Sequence, residues 1–396
     1  MKKKKILFIS MIKIFPASAG GMIRPAVFCR ALAELGYEVE IYSFTARRDD
    51  YLARKSSYSH SPVPGVTEYV STSIFHFILH RLFKILKAPP IWPLFLTSLG
   101  YCPRELRNKL KVADFVVSEY MFTMKRRRIL SSAPWFADSH NIEYLREARQ
   151  GGIHKLYAKV VRFFEERVSR SYDGVLACTE EEIEFFKRNA EEGFQNILVP
   201  NGVDAKSYLK KLPRPDIFPK GDGTTVFLFF GSDYYANADA ASFLRTFAHE
   251  HAEFLQEKDV YFLVAGSVHR ESFQEGAYIA SSFVDDPVQF YGNADFFINP
   301  MALGSGSNIK IAEAISAKLP ILSTPFGMRG FSGQANNHYL QFDREQIKDA
   351  IEAALGMSQE DREHMAENYR TLVLEEIDGK CIAQAKLLPL IESERD

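Results

Sequence analysis

Leu303 to Gly330 reads LGSGSNIKIAEAISAKLPILSTPFGMRG, and its residue types are arranged for anion chemistry. The small-residue turn Gly304-Ser305-Gly306-Ser307 opens directly into a helix-forming run from about Asn308 to Ser316. Backbone N–H groups at such a junction lack intrahelical partners and suit a phosphate. Lys310 falls in the first turn, where the helix dipole gives a cation no reason to be. A negatively charged ligand does give one. Glu313 lies three residues on and shares a helix face with Lys310. A carboxylate there can hold a pair of sugar hydroxyls while the lysine and the backbone hold a diphosphate. The pattern describes a nucleotide or nucleotide-sugar site.

A site of this kind needs a scaffold that brings loops to one sheet edge, and the rest of the chain provides it. Ile6 to Ile9 reads as a buried strand, followed by a loop from about Ser10 to Gly21 with the pair Gly20-Gly21. A helix from about Arg24 to Leu35 and a strand from Glu38 to Phe44 complete a β-loop-α-β unit. That order argues for a parallel sheet covered by helices. Residues 49–66 read as loop. Asp114 to Ser118, Trp135 to Asp138 and Gly174 to Thr179 continue the strand series, and Ser139-His140-Asn141 sits at a strand's carboxyl end, where open sheets bind ligands. Thr179 and Glu182 form a capping box for a helix from Glu180 to Asn189. After a Pro-, Gly- and charge-rich linker near Lys210 to Thr224, a second series begins with Thr225 to Phe230. It runs through strands at Val260 to Ala265 and Asp295 to Asn299 to the GSGS turn, then through helices at Gln346 to Gly356 and Asp361 to Asn368.

The 396 residues fit two domains. A net charge of -1 excludes bulk steering toward nucleic acid. Cys29, Cys102, Cys178 and Cys381 are far apart and form no CxxC, so they read as reduced thiols rather than a zinc or redox motif. Lys2 to Lys5 precede a short apolar run, but it is too short for a signal peptide and reads as the first strand. No stretch has the roughly 18 apolar residues of a membrane span. Ile74 to Leu99 is a basic, aromatic, amphipathic stretch interrupted by Pro89-Pro90. It reads either as helices packed on the sheet or as a surface that meets a bilayer interface or a lipid-linked acceptor.

Taken in order, these pieces resemble a known family. They are Gly20-Gly21, Asp138-Ser139-His140-Asn141-Ile142-Glu143, Asn201-Gly202-Val203-Asp204, Gly231-Ser232 with Ala236-Asn237, Val264-Ala265-Gly266, and Gly304 to Ala314. The chain is similar to family 4 retaining glycosyltransferases, the sucrose-synthase/glycogen-synthase-like group, along nearly its whole length. The resemblance implies an α/β GT-B fold, with two Rossmann-like parallel-sheet domains facing each other across a cleft. It divides the chain into an acceptor-binding domain (residues 1–205), a nucleotide-sugar-binding domain (206–372), and a C-terminal helix (373–396) that packs back on the first domain.

The implied reaction moves a hexose from a UDP-, GDP- or other nucleotide diphosphate sugar to a glycan or lipid-linked acceptor. It proceeds with retention, without metal or other cofactor, by front-face attack. Catalytic roles fall on His140, Lys310 and Glu313. Donor contacts fall on Gly20, Gly21, Gly231, Ser232, Gly266, Ser305, Gly306, Ser307, Asn308, Lys310 and Glu313. Arg24, Asn141, Glu143 and Arg329 are secondary or acceptor-side candidates. The implied location is bacterial cytoplasm, at the inner face of the membrane.

Two departures from the family pattern stand out. Ser305 replaces a glutamate that often contacts the donor sugar, and DYYANADAA after Gly231-Ser232 lacks the usual basic residue. Arg24 and Arg329 are candidates to replace it. The competing readings are a degenerate binding or scaffold protein on the same fold, and a sugar-nucleotide epimerase.

Overall fold

The computed structural model describes residues 3–17, 20–45, 57–72, 78, 81, 82, 85, 102–119, 131–149, 152, 154–221, 223–282, 284, 286–304 and 308–393. The chain divides into two compact units. One comprises residues 1–201 together with 379–396, and the other residues 202–378.

In the first unit the elements run β1 (Lys5–Ser10), α1 (Gly20–Glu34), β2 (Glu38–Thr45), β3 (Tyr58–Val63), β4 (Val66–Thr72), α2 (Arg104–Leu110), β5 (Phe115–Glu119), β6 (Trp135–Asp138), α3 (Glu143–Arg149), α4 (His154–Glu165), β7 (Gly174–Ala177), α5 (Glu180–Asn189) and β8 (Gln195–Leu198). Among the described residues the strands form one sheet of order β3-β4-β2-β1-β5-β6-β7-β8. It is parallel except for the β3/β4 hairpin. Alternate residues of a strand point to opposite faces, and β1 feeds two cores. Ile6 and Phe8 join Phe28 and Leu32 of α1, while Leu7 and Ile9 join Leu106, Trp135 and Phe186. A strand buried on both faces reads as an unbroken apolar run, which is why β1 is visible in sequence.

The second unit carries β9 (Thr225–Phe230), α6 (Tyr235–Glu250), α7 (Ala252–Glu257), β10 (Val260–Ala265), β11 (Phe273–Glu275), β12 (Tyr278–Ser281), α8 (Pro287–Tyr291), β13 (Phe296–Asn299), α9 (Ile309–Ser316), β14 (Ile321–Ser323), β15 (Leu340–Gln341), α10 (Ile347–Gly356) and α11 (Gln359–Ile377). Its sheet has the order β11-β12-β10-β9-β13-β14-β15, with β11/β12 antiparallel. Val226 and Leu228 face one core, Phe227 and Phe229 the other. The chain then re-enters the first unit as α12 (Gly379–Ile382), a π-helical turn (Ala383–Leu387) and α13 (Leu388–Glu392). There Ile382, Ala383, Leu387 and Ile391 pack with Phe28 and Leu32.

Three local readings change. β3, expected as loop, pairs antiparallel with β4. Its residues YSHSPV are partly exposed and carry no apolar alternation to announce a strand. α1 begins at Gly20, a turn before the expected start near Arg24. Pro25 suggests a helix's first turn, yet here it lies inside the helix, where it has no N–H to bond the preceding turn. α11 is far longer than Asp361 to Asn368: its buried residues continue past that run to Tyr369, Val373 and Ile377. The Thr179 cap is present: its side chain accepts from Glu182 N at 3.3 Å.

Candidate functional site

The strand order of the second unit reverses direction between β9 and β13, and ligands of open α/β sheets bind outside the carboxyl ends of strands at such a switch. Both strands run out there into loops that start helices. β9 leads through Gly231-Ser232 into α6, and β13 leads through Met301 to Gly304 toward α9. Close packing dictates two glycines. A Cβ on Gly231 would lie 3.1 Å from Asn237 Cβ. Gly266 has φ +98° and a Cβ there would sit 2.5 Å from the Gly231 carbonyl oxygen. Gly266 is therefore a glycine because two loop backbones touch, with Gly231 N donating to Ala265 O at 2.9 Å.

Lys310 occupies the first turn of α9, as the sequence indicates, and is 8% exposed. Its Nζ donates to Asn237 Oδ1 at 2.6 Å and lies 4.4 Å from the Phe229 ring centroid. Asn237 Nδ2 in turn donates to Ser232 O at 3.0 Å and Ser232 Oγ at 3.2 Å. Two predicted positions, Lys310 and Ser232, thus join through Asn237, a residue that sequence reasoning quoted but gave no role. Burial pulls the Lys310 pKa down to about 7, only partly opposed by Glu313. Asn308 does not cap α9 with its side chain. Its amide donates instead to Gly327 O at 2.7 Å. Thr324 Oγ1 accepts from Gly327 N at 3.0 Å, so the turn after β14 braces the helix start. A helix end without a side-chain cap, next to a lysine that ionises near neutrality, can receive a diphosphate.

Glu313 is buried and clamped. Tyr208 Oη donates to Oε1 and Tyr291 Oη to Oε2, each at 2.8 Å. Tyr291 stacks on Phe230 with ring centroids 5.7 Å apart and an interplanar angle of 16°. Burial raises the Glu313 pKa against the pull of the two tyrosines and Lys310. The two phenols lie well above their ordinary value through burial and the adjacent carboxylate. Each carboxylate oxygen keeps a lone pair beyond the one used by tyrosine, so further hydroxyl donors can be accepted. Sequence reasoning missed both tyrosines. They stand 105 and 22 positions from Glu313, so no local spacing marks them.

The first unit gathers polar groups at the carboxyl ends of β5 and β6. His140 Nε2 meets Glu119 Oε2 at 2.8 Å and Asp138 Oδ2 at 3.8 Å. Glu119 is fully buried, and its Oε1 has no hydrogen-bond partner among the described residues. Burial and Asp138 push the Glu119 pKa up. Burial alone would lower His140, but the Glu119 bond and Asp138 hold it above its ordinary value. Glu119 was not singled out from the sequence, where it reads as one more residue at a strand's end. Single donor atoms of Glu119, Asp138 and His140 lie within 4.8 Å of one another, as metal ligands would. The protein supplies a cation of its own beside them. Arg24 Nε lies 3.0 Å from both Asp138 oxygens, and its NH2 lies 2.8 Å from Oδ1. Its NH1 donates to Val199 O, Pro200 O and Asn201 Oδ1.

Arg24 is thus an internal clasp, 1% exposed. Gly20 and Gly21 are corrected from loop residues to the first residues of α1. Asn141 is half-buried beside His140, and Glu143 opens α3 with Arg146 NH2 2.8 Å from its Oε2. Arg329 lies 4.3 Å over the Phe326 ring. Ser305, Gly306 and Ser307 fall outside the described residues, as does most of the Ile74 to Leu99 stretch.

Comparison with known proteins is consistent with this geometry. Residues 224–357 match the family model described as Glycosyl transferases group 1. No curated protein matches the chain. Sucrose-phosphate synthase from Thermosynechococcus elongatus aligns with TM-score 0.66 at 15% identity, covering 98% of each chain. The E. coli trehalose-6-phosphate structure bound with UDP-2-fluoro glucose aligns with TM-score 0.67 at 13% identity, covering 98% of this chain and 99% of that one. Anabaena HepE in complex with UDP and glucose aligns with TM-score 0.62 at 12% identity, covering 99% and 100%. At these identities the likeness establishes the fold.

Proposed function

We propose that this chain, which has the GT-B fold and whose residues 224–357 match the Glycosyl transferases group 1 model, transfers a hexose, with retention, from a nucleotide diphosphate sugar to a glycan or lipid-linked acceptor. UDP is the favoured nucleotide, since two of the similar structures hold UDP or a UDP-sugar. The observation that carries the reading is the linked set Lys310–Asn237–Ser232 at the β9/β13 switch. The diphosphate rests on the start of α9, where Lys310 and the free N–H groups meet it. As the anomeric C–O bond breaks, charge builds on the leaving diphosphate. Lys310 and the helix end stabilise that charge more than they stabilise the intact donor. Glu313 accepts the ribose hydroxyls with its remaining lone pairs. The acceptor oxygen attacks the anomeric carbon on the face the diphosphate leaves, and its proton passes to a phosphate oxygen. The first unit serves the acceptor, and His140 is its candidate catalytic residue.

Thermal-shift titration with UDP, GDP and ADP tests this reading, because a ligand that binds only the folded state stabilises it. One nucleotide should raise the melting temperature, Asn237→Ala should weaken that shift, and Lys310→Ala should abolish it. Equal and unchanged shifts in all three proteins would refute the assignment of the diphosphate to Lys310.

A further inference from the structure

Exposed apolar side chains cluster on this protein. Among the described residues ten large ones are exposed, and six fall into two triplets: Ile78, Leu82 and Ile85, and Leu156, Val160 and Phe163. Each triplet has i, i+4, i+7 spacing, the period of a single helix face. Both belong to the first unit. The second triplet lies on α4, every residue of which is described. The inner side of α4 is accounted for. Ala158, Val161 and Glu165 are buried there, and Glu165 accepts from Glu143 N and Tyr144 N at 2.6 and 2.9 Å.

The outer side has no such account. Leu156, Val160 and Phe163 are 62, 40 and 50% exposed, and they fall within about 60° of one another around the helix axis. Lys155, Lys159 and Arg162 border one edge of that stripe. Among the described residues Lys155 and Lys159 have no ion-pair partner, while Arg162 pairs with Glu166 at 2.5 Å. Arg167 extends the cationic edge past the helix end. Its guanidinium lies 3.9 Å from the Phe163 ring centroid, and NH1 donates to Phe163 O at 2.9 Å. Four cations thus border an apolar stripe with one nearby carboxylate. A second copy seated on the same face would set like charges together in an interface core that normally excludes them. An anionic bilayer matches both features, with headgroups for the cations and the acyl boundary for the apolar triplet.

We propose that the outer face of α4 is a docking surface for an anionic lipid membrane. Unlike the proposed transfer reaction, this rests on no assumption about the donor site, and a protein without transferase activity would show it equally.

The test is co-sedimentation of the full chain with vesicles of phosphatidylcholine alone and of phosphatidylcholine with phosphatidylglycerol. The chain should sediment with the mixed vesicles, weakly or not at all with the neutral ones, and less as salt rises. Lys155→Glu/Lys159→Glu and Leu156→Ser/Phe163→Ser should each reduce the bound fraction at least tenfold while leaving the melting temperature and nucleotide shift unchanged. Absence of binding by the parent chain, or binding unaffected by both double variants, would overturn the proposal. So would loss of binding only in Ile78→Ser/Leu82→Ser, which would move the contact to the other stripe. Concentration-dependent dimers abolished by Leu156→Ser/Phe163→Ser, without vesicle binding, would make the face a self-association surface instead.

Discussion

Lys310 should couple nucleotide binding to pH, and the size of the effect follows from its surroundings. In the free protein the ammonium is pushed to a pKa of about 7 by burial against Phe229 and Met301. A bound diphosphate favours the charged form and raises the pKa again. Only the cationic form has this attraction, so binding takes up a proton whenever free Lys310 is neutral. Between the two pKa values affinity falls tenfold, or about 1.4 kcal/mol, per pH unit. From pH 7 to pH 9 the loss is about 50-fold, or about 2.3 kcal/mol.

Calorimetric titration with UDP in two buffers of different ionisation enthalpy measures both affinity and proton uptake. Uptake should rise from about half a proton at pH 7 to nearly one at pH 9. Lys310→Arg stays charged throughout and should give a flat profile with no uptake from this site. A flat profile in the parent chain, or an unchanged slope in Lys310→Arg, would refute the reasoning. The folded protein alone gives a second readout. Because the folded pKa is lowered, the unfolded chain binds the extra proton between pH 7 and 10.5. The Lys310 contribution to stability therefore rises with pH across that window, and Lys310→Met should remove the rise.

If Glu313 holds the ribose, Tyr208→Phe and Tyr291→Phe should each reduce the preference for UDP over 2′-deoxy-UDP by about tenfold, the worth of one hydrogen bond to a carboxylate, read by competition binding. Arg24→Met strands Asp138 in the core and should cost about 3–5 kcal/mol in urea unfolding, with Arg24→Met/Asp138→Leu recovering part of that loss. Gly266→Ala should lower the melting temperature much more than Gly276→Ala. Both have positive φ, but only at Gly266 would the new methyl meet a carbonyl oxygen, 2.5 Å away.

Features carried by neighbouring residues were legible in the sequence. β1 and β9 announce themselves because each is apolar on both faces, and Thr179 marks the start of α5 because its cap is three residues long. Lys310 and Glu313 could be paired because a helix turn brings them together. What depends on tertiary placement was not legible. Tyr208 reaches Glu313 from across the unit. Arg24 looks like any basic helix residue until the sheet brings Asp138 beside it and Val199 to Asn201 around it. β3 is a polar edge strand whose only signal is its partner β4. Gly266 is required by the contact between its loop and that of Gly231, which no local spacing announces.

The chain leaves the first unit after residue 201 and returns after residue 378. During synthesis the segment that seals the Phe28 and Leu32 side of α1 emerges from the ribosome only after the whole second unit. The second unit has all its residues available before then and can fold while its predecessor still lacks a wall. That reverses the usual amino-terminal-first order of domain maturation. A chaperone that recognises exposed apolar surface would therefore find its target on α1 until residues 379–392 have been made.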